Sequence, residues 1–242
     1  MTKPTVLITG ANKSIGFETA RQMANTGYHI YLGSRDKANG EHAVAKLKAE
    51  GFNDVDLLLI DISDQASVDN AKAELESKLQ SLDVLINNAG ISGGFPQAPL
   101  SLNMDMVKSV YETNVFGTMR ATIAFMDLLK KSPEPRIVNV TSDLASLTLH
   151  NDPTWAYYNF KGGAYGPSKT ALNAYTVALA FELKDTAFKI NAVNPGFTAT
   201  DFNNHRGTKN VTDAASVILK YATIGADGPT GKFFSDYGES PW

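Results

Sequence analysis

Short apolar runs alternate along the chain with longer stretches in which apolar positions recur every three or four residues. Runs at 6–9, 29–33, 55–60, 82–86, 136–140, 189–193 and 232–235 are bounded by turn residues and read as strands. Stretches 15–26, 36–50, 64–79, 104–131, 167–183 and 213–221 read as helices. Gly27 and Gly51 end the first two, and Ser63 or Asp64 offers an N-cap to the third. Repeated strand–helix units of this length predict an α/β fold. It is a single-domain, doubly wound parallel sheet of about seven strands with helices on both faces. No linker, repeat or low-complexity tract divides residues 1–242.

The first strand runs directly into a polar, glycine-bearing turn. Val6-Leu7-Ile8-Thr9-Gly10-Ala11-Asn12-Lys13-Ser14-Ile15-Gly16 passes from buried strand through turn to helix start. That order suits a dinucleotide phosphate. The backbone comes close to the pyrophosphate, and the helix N-terminus offers N–H groups and a partial positive charge. The sheet is then Rossmann-like. Gly10 and Gly16 are six apart, with Ser14 in the middle glycine position. An ordinary strand-to-helix turn could carry these two glycines, so the reading depends on later motifs.

At 242 residues and 43% hydrophobic, the chain can bury one large core. A net charge of -3 leaves no footprint for nucleic acid, and the lack of cysteine excludes disulfides and cysteine-based metal sites. No metal is expected. No apolar run approaches the roughly 18 residues of a membrane span. Met1-Thr2-Lys3-Pro4 leads straight into a strand. The expectation is a cytoplasmic protein with no membrane partner.

Polar residues gather at the carboxyl ends of the strands. Strand two ends in Ser34-Arg35-Asp36. An acid there binds the ribose 2′-hydroxyl of NAD, whereas a guanidinium pairs with a 2′-phosphate and stacks on adenine. Arg35, with Lys13 as a second cation, favours NADP(H). The competing reading leaves both cations solvated and gives the ribose to Asp36. Asp61-Ile62 ends strand three, where the carboxylate either accepts from the adenine amino group or caps the next helix. Asn87-Asn88-Ala89-Gly90 ends strand four. Its amides either tie neighbouring strands or let the backbone lie flat on a ligand. Asn114 stands among apolar neighbours in the long helix. It is either bonded to nearby backbone or marks a kink that frees a carbonyl for water. Ser142 follows strand five, a common place for a turn residue.

Tyr165-Gly166-Pro167-Ser168-Lys169 starts a helix, because proline is tolerated only in a first turn. Tyr165 and Lys169 therefore share a face. A free phenol, with a pKa of about 10, moves protons poorly at neutral pH. A neighbouring ammonium should lower it and make Tyr165 a general acid. A serine hydroxyl could hold the substrate oxygen as charge develops. The bland alternative is a half-buried tyrosine beside a surface lysine.

Together these motifs resemble the short-chain dehydrogenase/reductase family. Thr9-Gly10 to Gly16, Asn87–Gly90, Asn114, Ser142, Tyr165/Lys169 and Pro195-Gly196 stand in the family's order across almost the whole chain. Thr9-Gly10-Ala11-Asn12-Lys13, Ser34-Arg35-Asp36 and the tail ending in Trp242 resemble the carbonyl-reductase branch. The resemblance implies reduction of ketones, aldehydes or quinones with NADPH. Tyr165 would donate the proton and Ser142 orient the carbonyl. Lys169 would bind the nicotinamide ribose and lower the tyrosine pKa, and Asn114 would support a relay water. Gly10, Asn12, Lys13, Ser14, Ile15, Gly16, Arg35, Asp61, Ile62, Asn88, Ala89 and Gly90 would line the cofactor. Pro195, Gly196 and Thr198 would border the nicotinamide. The resemblance also implies a homo-oligomer, dimer or tetramer, although some carbonyl reductases are monomers.

Two departures matter. Ser14 replaces the family's middle glycine, which requires backbone that avoids positive φ. Ser142 and Tyr165 are 23 apart, longer than the resemblance implies. The excess is an aromatic-rich insertion at 149–163, expected to wall the substrate pocket or cover an oligomer surface. Residues 197–212 form a short substrate loop in which His205 is expected to face solvent. Epimerases and dehydratases of this scaffold resemble a longer chain, and enoyl reductases space tyrosine and lysine more widely. An NAD-using secondary-alcohol dehydrogenase and a non-catalytic NADPH-binding protein are the remaining alternatives.

Overall fold

In the computed structural model, which describes residues 3–242, strands and helices alternate from the first turn onward. β1 (Thr5–Ile8), α1 (Ser14–Asn25), β2 (His29–Ser34), α2 (Lys37–Ala49), β3 (Val55–Leu59), α3 (Gln65–Lys78) and β4 (Val84–Asn87) make the first half. α4 (Met104–Tyr111), α5 (Thr118–Leu129), β5 (Arg136–Val140), α6 (Leu147–His150), α7 (Tyr165–Glu182) and β6 (Lys189–Val193) follow. α8 (Val211–Ala222), β7 (Phe233–Ser235) and β8 (Gly238–Glu239) close the chain.

The strands form one sheet in the order β3-β2-β1-β4-β5-β6-β7-β8, parallel except for the last pair. The doubly wound architecture is as expected, with one strand more than predicted. β8 is too short for its pattern to show in the sequence. Alternate side chains of β1 go to opposite faces: Val6 and Ile8 join one core, Leu7 the other. The first core is covered by α1, α2 and α8, and the second by α3, α5 and α7. Each fully buried Val, Leu or Ile contributes roughly 1.5–3 kcal/mol, so the strands need apolar residues on both sides. Chain order reverses between β1 and β4, which opens a crevice at the carboxyl edge of the sheet.

The helix predicted across 104–131 is not continuous. α4 and α5 are separated by a π-helical stretch, Glu112–Gly117. Asn114 explains the widened turn. Its side chain accepts from the Ile91 amide (2.8 Å) and donates to the Ile91 carbonyl (2.9 Å), anchoring the helix to the segment after β4. A Cβ on Gly117 would lie 2.9 Å from the Ile62 carbonyl oxygen, so only glycine permits this approach. No helix among the described residues is long and apolar enough to cross a membrane.

Candidate active site

A cleft of about 850 Å³ runs along the crevice and receives the ends of β1 to β6. At its floor, Gly10 takes φ +63, and a Cβ there would meet Ala89 Cα at 2.9 Å. The Asn88 amide donates to the carbonyls of Thr9 (2.9 Å) and Gly10 (3.0 Å). It thereby stitches the end of β4 to the glycine turn. Asn87 ties β4 to β5 in the same way, donating to Asn139 and Thr122 at 2.9 Å. No side chain caps α1 among the described residues, and no acid stands in its first turn. Ser14, Ile15 and Gly16 line the cleft there, beside Gly10, Asn12 and Lys13. This glycine-floored, uncapped helix start fits an anionic pyrophosphate.

Ser14 does not avoid positive φ; it sits at +53. The tight turn into α1 imposes this conformation, which costs a non-glycine residue roughly 1–2 kcal/mol.

At the adenosine end, Ser34 is buried and its hydroxyl donates to the Asp36 carbonyl (2.8 Å). The Asp36 carboxylate caps α2 by accepting from the Asn39 amide (2.8 Å), and Asp36 is not among the residues that line the cleft. Arg35 is exposed and lines the cleft. Lys13 also lines it, and its Nζ lies 2.9 Å from Asp201 in an exposed ion pair. Asp61 accepts from the Ser63 amide (2.9 Å) and hydroxyl (2.6 Å), while Asp64 caps α3. Ile62 and Asp61 line the same end.

Deeper in, Ala89 and Gly90 form the wall in front of Asn114. A Cβ on Gly90 would lie 3.2 Å from Asn114 Oδ1 and 3.4 Å from Lys169 Nζ. Asn114 is fully buried, donates to Ser168 Oγ (3.0 Å), and its main-chain carbonyl accepts from the Thr118 hydroxyl (3.2 Å). Pro195, Gly196 and Thr198 also line the cleft, and Gly196 at φ +86 is held by Asn194 Oδ1 (3.0 Å).

Tyr165 is the first residue of α7 and Lys169 lies one turn on. Lys169 is buried, donates to the Val140 carbonyl (2.9 Å), and its Nζ stands 6.0 Å from the Tyr165 ring centre. Burial lowers its pKa to about 8. The spacing of Tyr165 and Lys169 predicts a depressed phenol pKa. Instead, burial pushes the Tyr165 phenol up to about 12, against a smaller opposing pull from its hydrogen bond to Ser142. A phenolate in a low-dielectric wall loses more hydration than a hydrogen bond returns, and the buried lysine itself sheds its proton readily. Ser142 also accepts from the Leu144 amide (3.2 Å).

Trp155, Tyr157 and Phe160 of the insertion line the outer cleft with Phe95, Phe197 and Phe202. Edge contacts link Phe95 with Phe160 (5.2 Å), Tyr157 with Phe197 (6.0 Å) and Tyr165 with Phe202 (5.2 Å). His205 is exposed and pairs with Asp201 (3.0 Å). Gln97 and Asp201 carry no signal in the sequence. Each acts on a partner distant in sequence, so no local pattern marks it.

The profile of the family described as short chain dehydrogenase matches residues 4–211. Short-chain dehydrogenase anuI of Penicillium roqueforti is 36% identical, over 93% of this chain and 91% of its own. (+)-Neomenthol dehydrogenase of Capsicum annuum is 32% identical, over 94% of each chain. The solved structure of salutaridine reductase from Papaver somniferum superposes with a TM-score of 0.84 at 27% identity, covering 97% of this chain and 100% of that one.

Proposed function

The chain belongs to the short-chain dehydrogenase/reductase family, and we propose that it is an NADPH-dependent carbonyl reductase. The family uses a nicotinamide cofactor and acts on CH–OH or C=O groups of small molecules. The observation that carries the reading is the meeting of Ser142, Tyr165 and Lys169 in the cleft that Pro195 and Gly196 also line, with Ser142 hydrogen-bonded to Tyr165 and Lys169 beside its ring. NADPH, when bound, supplies the hydride. Ser142 holds the carbonyl oxygen, and Tyr165, protonated at neutral pH, gives that oxygen its proton. Lys169 holds the nicotinamide ribose, and Asn114 keeps the lysine pocket polar behind Gly90.

Gly10, Asn12, Ser14, Ile15 and Gly16 take the pyrophosphate. Arg35 takes the 2′-phosphate, Asp61 and Ile62 the adenine, and Asn88, Ala89 and Gly90 pack along the ribose. Pro195, Gly196 and Thr198 border the carboxamide. The aromatic outer cleft, supplied by 149–163 and 197–212, suits an apolar ketone, aldehyde or quinone.

A panel of such carbonyls, followed by nicotinamide absorbance with NADPH and NADH in parallel, tests the reading. Turnover is expected with NADPH. Arg35→Ser should raise the KM for NADPH about 10–100-fold, the worth of a charge-assisted phosphate contact, and leave the KM for NADH unchanged. Equal or faster turnover with NADH would point to an NAD-using alcohol dehydrogenase. Tight NADPH binding without any turnover would point to a non-catalytic binding protein.

Phe116, Ile123, Val177 and Phe181 stand exposed on the α5/α7 side of the sheet. The insertion leaves this apolar face bare, which supports a homodimer across it. Sedimentation equilibrium should give twice the chain mass, and the double variant Ile123→Arg/Phe181→Arg should give the chain mass. A wild-type monomer would end the idea.

A further inference from the structure

The catalytic helix starts without a cap of its own. Ala164 precedes Tyr165 and supplies no side-chain hydrogen bond. The Tyr165 amide donates instead to Gln97 Oε1, 68 residues earlier, at 2.9 Å. The other end of that amide group is equally committed. Gln97 Nε2 donates to the carbonyls of Ser92 (2.6 Å) and Gly94 (2.7 Å). The Gln97 main-chain carbonyl accepts from the Gly163 amide (2.8 Å), at the exit of the insertion. Gln97 is only 4% exposed, so none of these bonds competes with water.

Three segments therefore meet on one residue: its side chain holds the loop after β4 and the first residue of α7, and its main-chain carbonyl holds the end of the insertion. Ser92, Gly93 and Phe95 of that loop line the cleft, as does Tyr165. Gly162 and Gly163 leave room for the junction. A Cβ on Gly162 would stand 3.2 Å from Gln97 Oε1, and one on Gly163 would strike Leu102 at 2.8 Å.

We infer that Gln97 is a positioning residue for carbonyl reduction, fixing the proton donor at the head of α7 relative to the loop that bounds the substrate. This rests on the reductase reading above. Its two ends do separable work. The oxygen holds Tyr165 and so governs kcat. The nitrogen holds the 92–94 loop and so governs KM for the carbonyl.

Two variants separate the ends. Gln97→Met fills the same space and removes all three side-chain hydrogen bonds. Gln97→Glu keeps an acceptor for the Tyr165 amide and offers the loop one donor at most, when protonated, in place of two. With the ketone turned over fastest in the carbonyl panel as the probe, Gln97→Met should lower kcat about 10–100-fold and raise KM, the effect of a misplaced reacting group. Gln97→Glu should hold kcat within about 3-fold of wild type while KM rises about 10-fold. NADPH affinity, read by fluorescence, should match wild type in both, which shows that both fold. Hydrogen exchange of the Tyr165 amide, read on protein labelled with 15N-tyrosine, should speed up about 10-fold in Gln97→Met and stay slow in Gln97→Glu.

Parallel losses of kcat in both variants, or an unchanged Tyr165 amide in Gln97→Met, would overturn the assignment. A wild-type enzyme inert toward carbonyls would remove the reductase reading, and the assignment to carbonyl reduction with it. The exchange measurement would then still decide whether Gln97 holds the head of α7.

Discussion

Tyr165→Phe is expected to lower kcat for carbonyl reduction by about 10²–10⁴, the usual worth of a positioned proton donor, with NADPH affinity unchanged. The phenol is pushed up to about 12 by burial. Tyr165 is therefore protonated from acid through mildly alkaline pH, the state that a donor needs. The reductive rate should stay flat across neutral pH and decline only on the alkaline side. Oxidation of the corresponding alcohol needs the phenolate, so its rate should climb with pH over the same range. Measuring kcat/KM in both directions against pH checks the assignment. A variant retaining most of its reductive activity would require another proton source, for which Asp143, beside Ser142 in the cleft and raised by burial, is the first to test.

The second large effect is expected at Lys169, where stability and activity should move in opposite directions. Burial lowers its pKa from 10.5 to about 8. Below pH 8 both folded and unfolded chains carry the proton, and the folded state bears the full cost of a buried charge. Between pH 8 and 10.5 the unfolded chain binds more protons than the folded one. Stability therefore rises with pH through that window, by about 3 kcal/mol if fully expressed. Lys169→Met removes the charge. It should gain about 1–3 kcal/mol at pH 7, less the lost hydrogen bond to Val140, and should flatten the rise. Turnover should fall about 100-fold or more if Lys169 holds the nicotinamide ribose as proposed. Urea unfolding of both proteins at pH 7 and pH 10 provides the test. A variant less stable at pH 7, with the same rise toward pH 10, would show that Lys169 is not the group responsible. Tyr165 works in the opposite sense at higher pH. Its folded pKa is raised, so its contribution is lost between pH 10 and 12.

The alternation of apolar runs and helical stretches was enough to place β1 to β7 and the flanking helices, because each side chain's burial repeats with the local geometry of its own element. The glycine turn and the Tyr165–Lys169 spacing were legible for the same reason. Gly10 answers to a local φ, and residues four apart on a helix must share a face. Tertiary structure decided the rest. The break between α4 and α5 depends on Asn114 reaching Ile91, 23 residues away. Lys13 meets Asp201 across 188 residues, and Gln97 caps Tyr165 across 68. The direction of the Tyr165 shift turned on how much water the folded wall excludes, whereas the spacing to Lys169 had suggested the opposite sign. Local periodicity reports which way a side chain faces. Partners far apart in sequence, and the dielectric around a buried charge, exist only once the chain has packed.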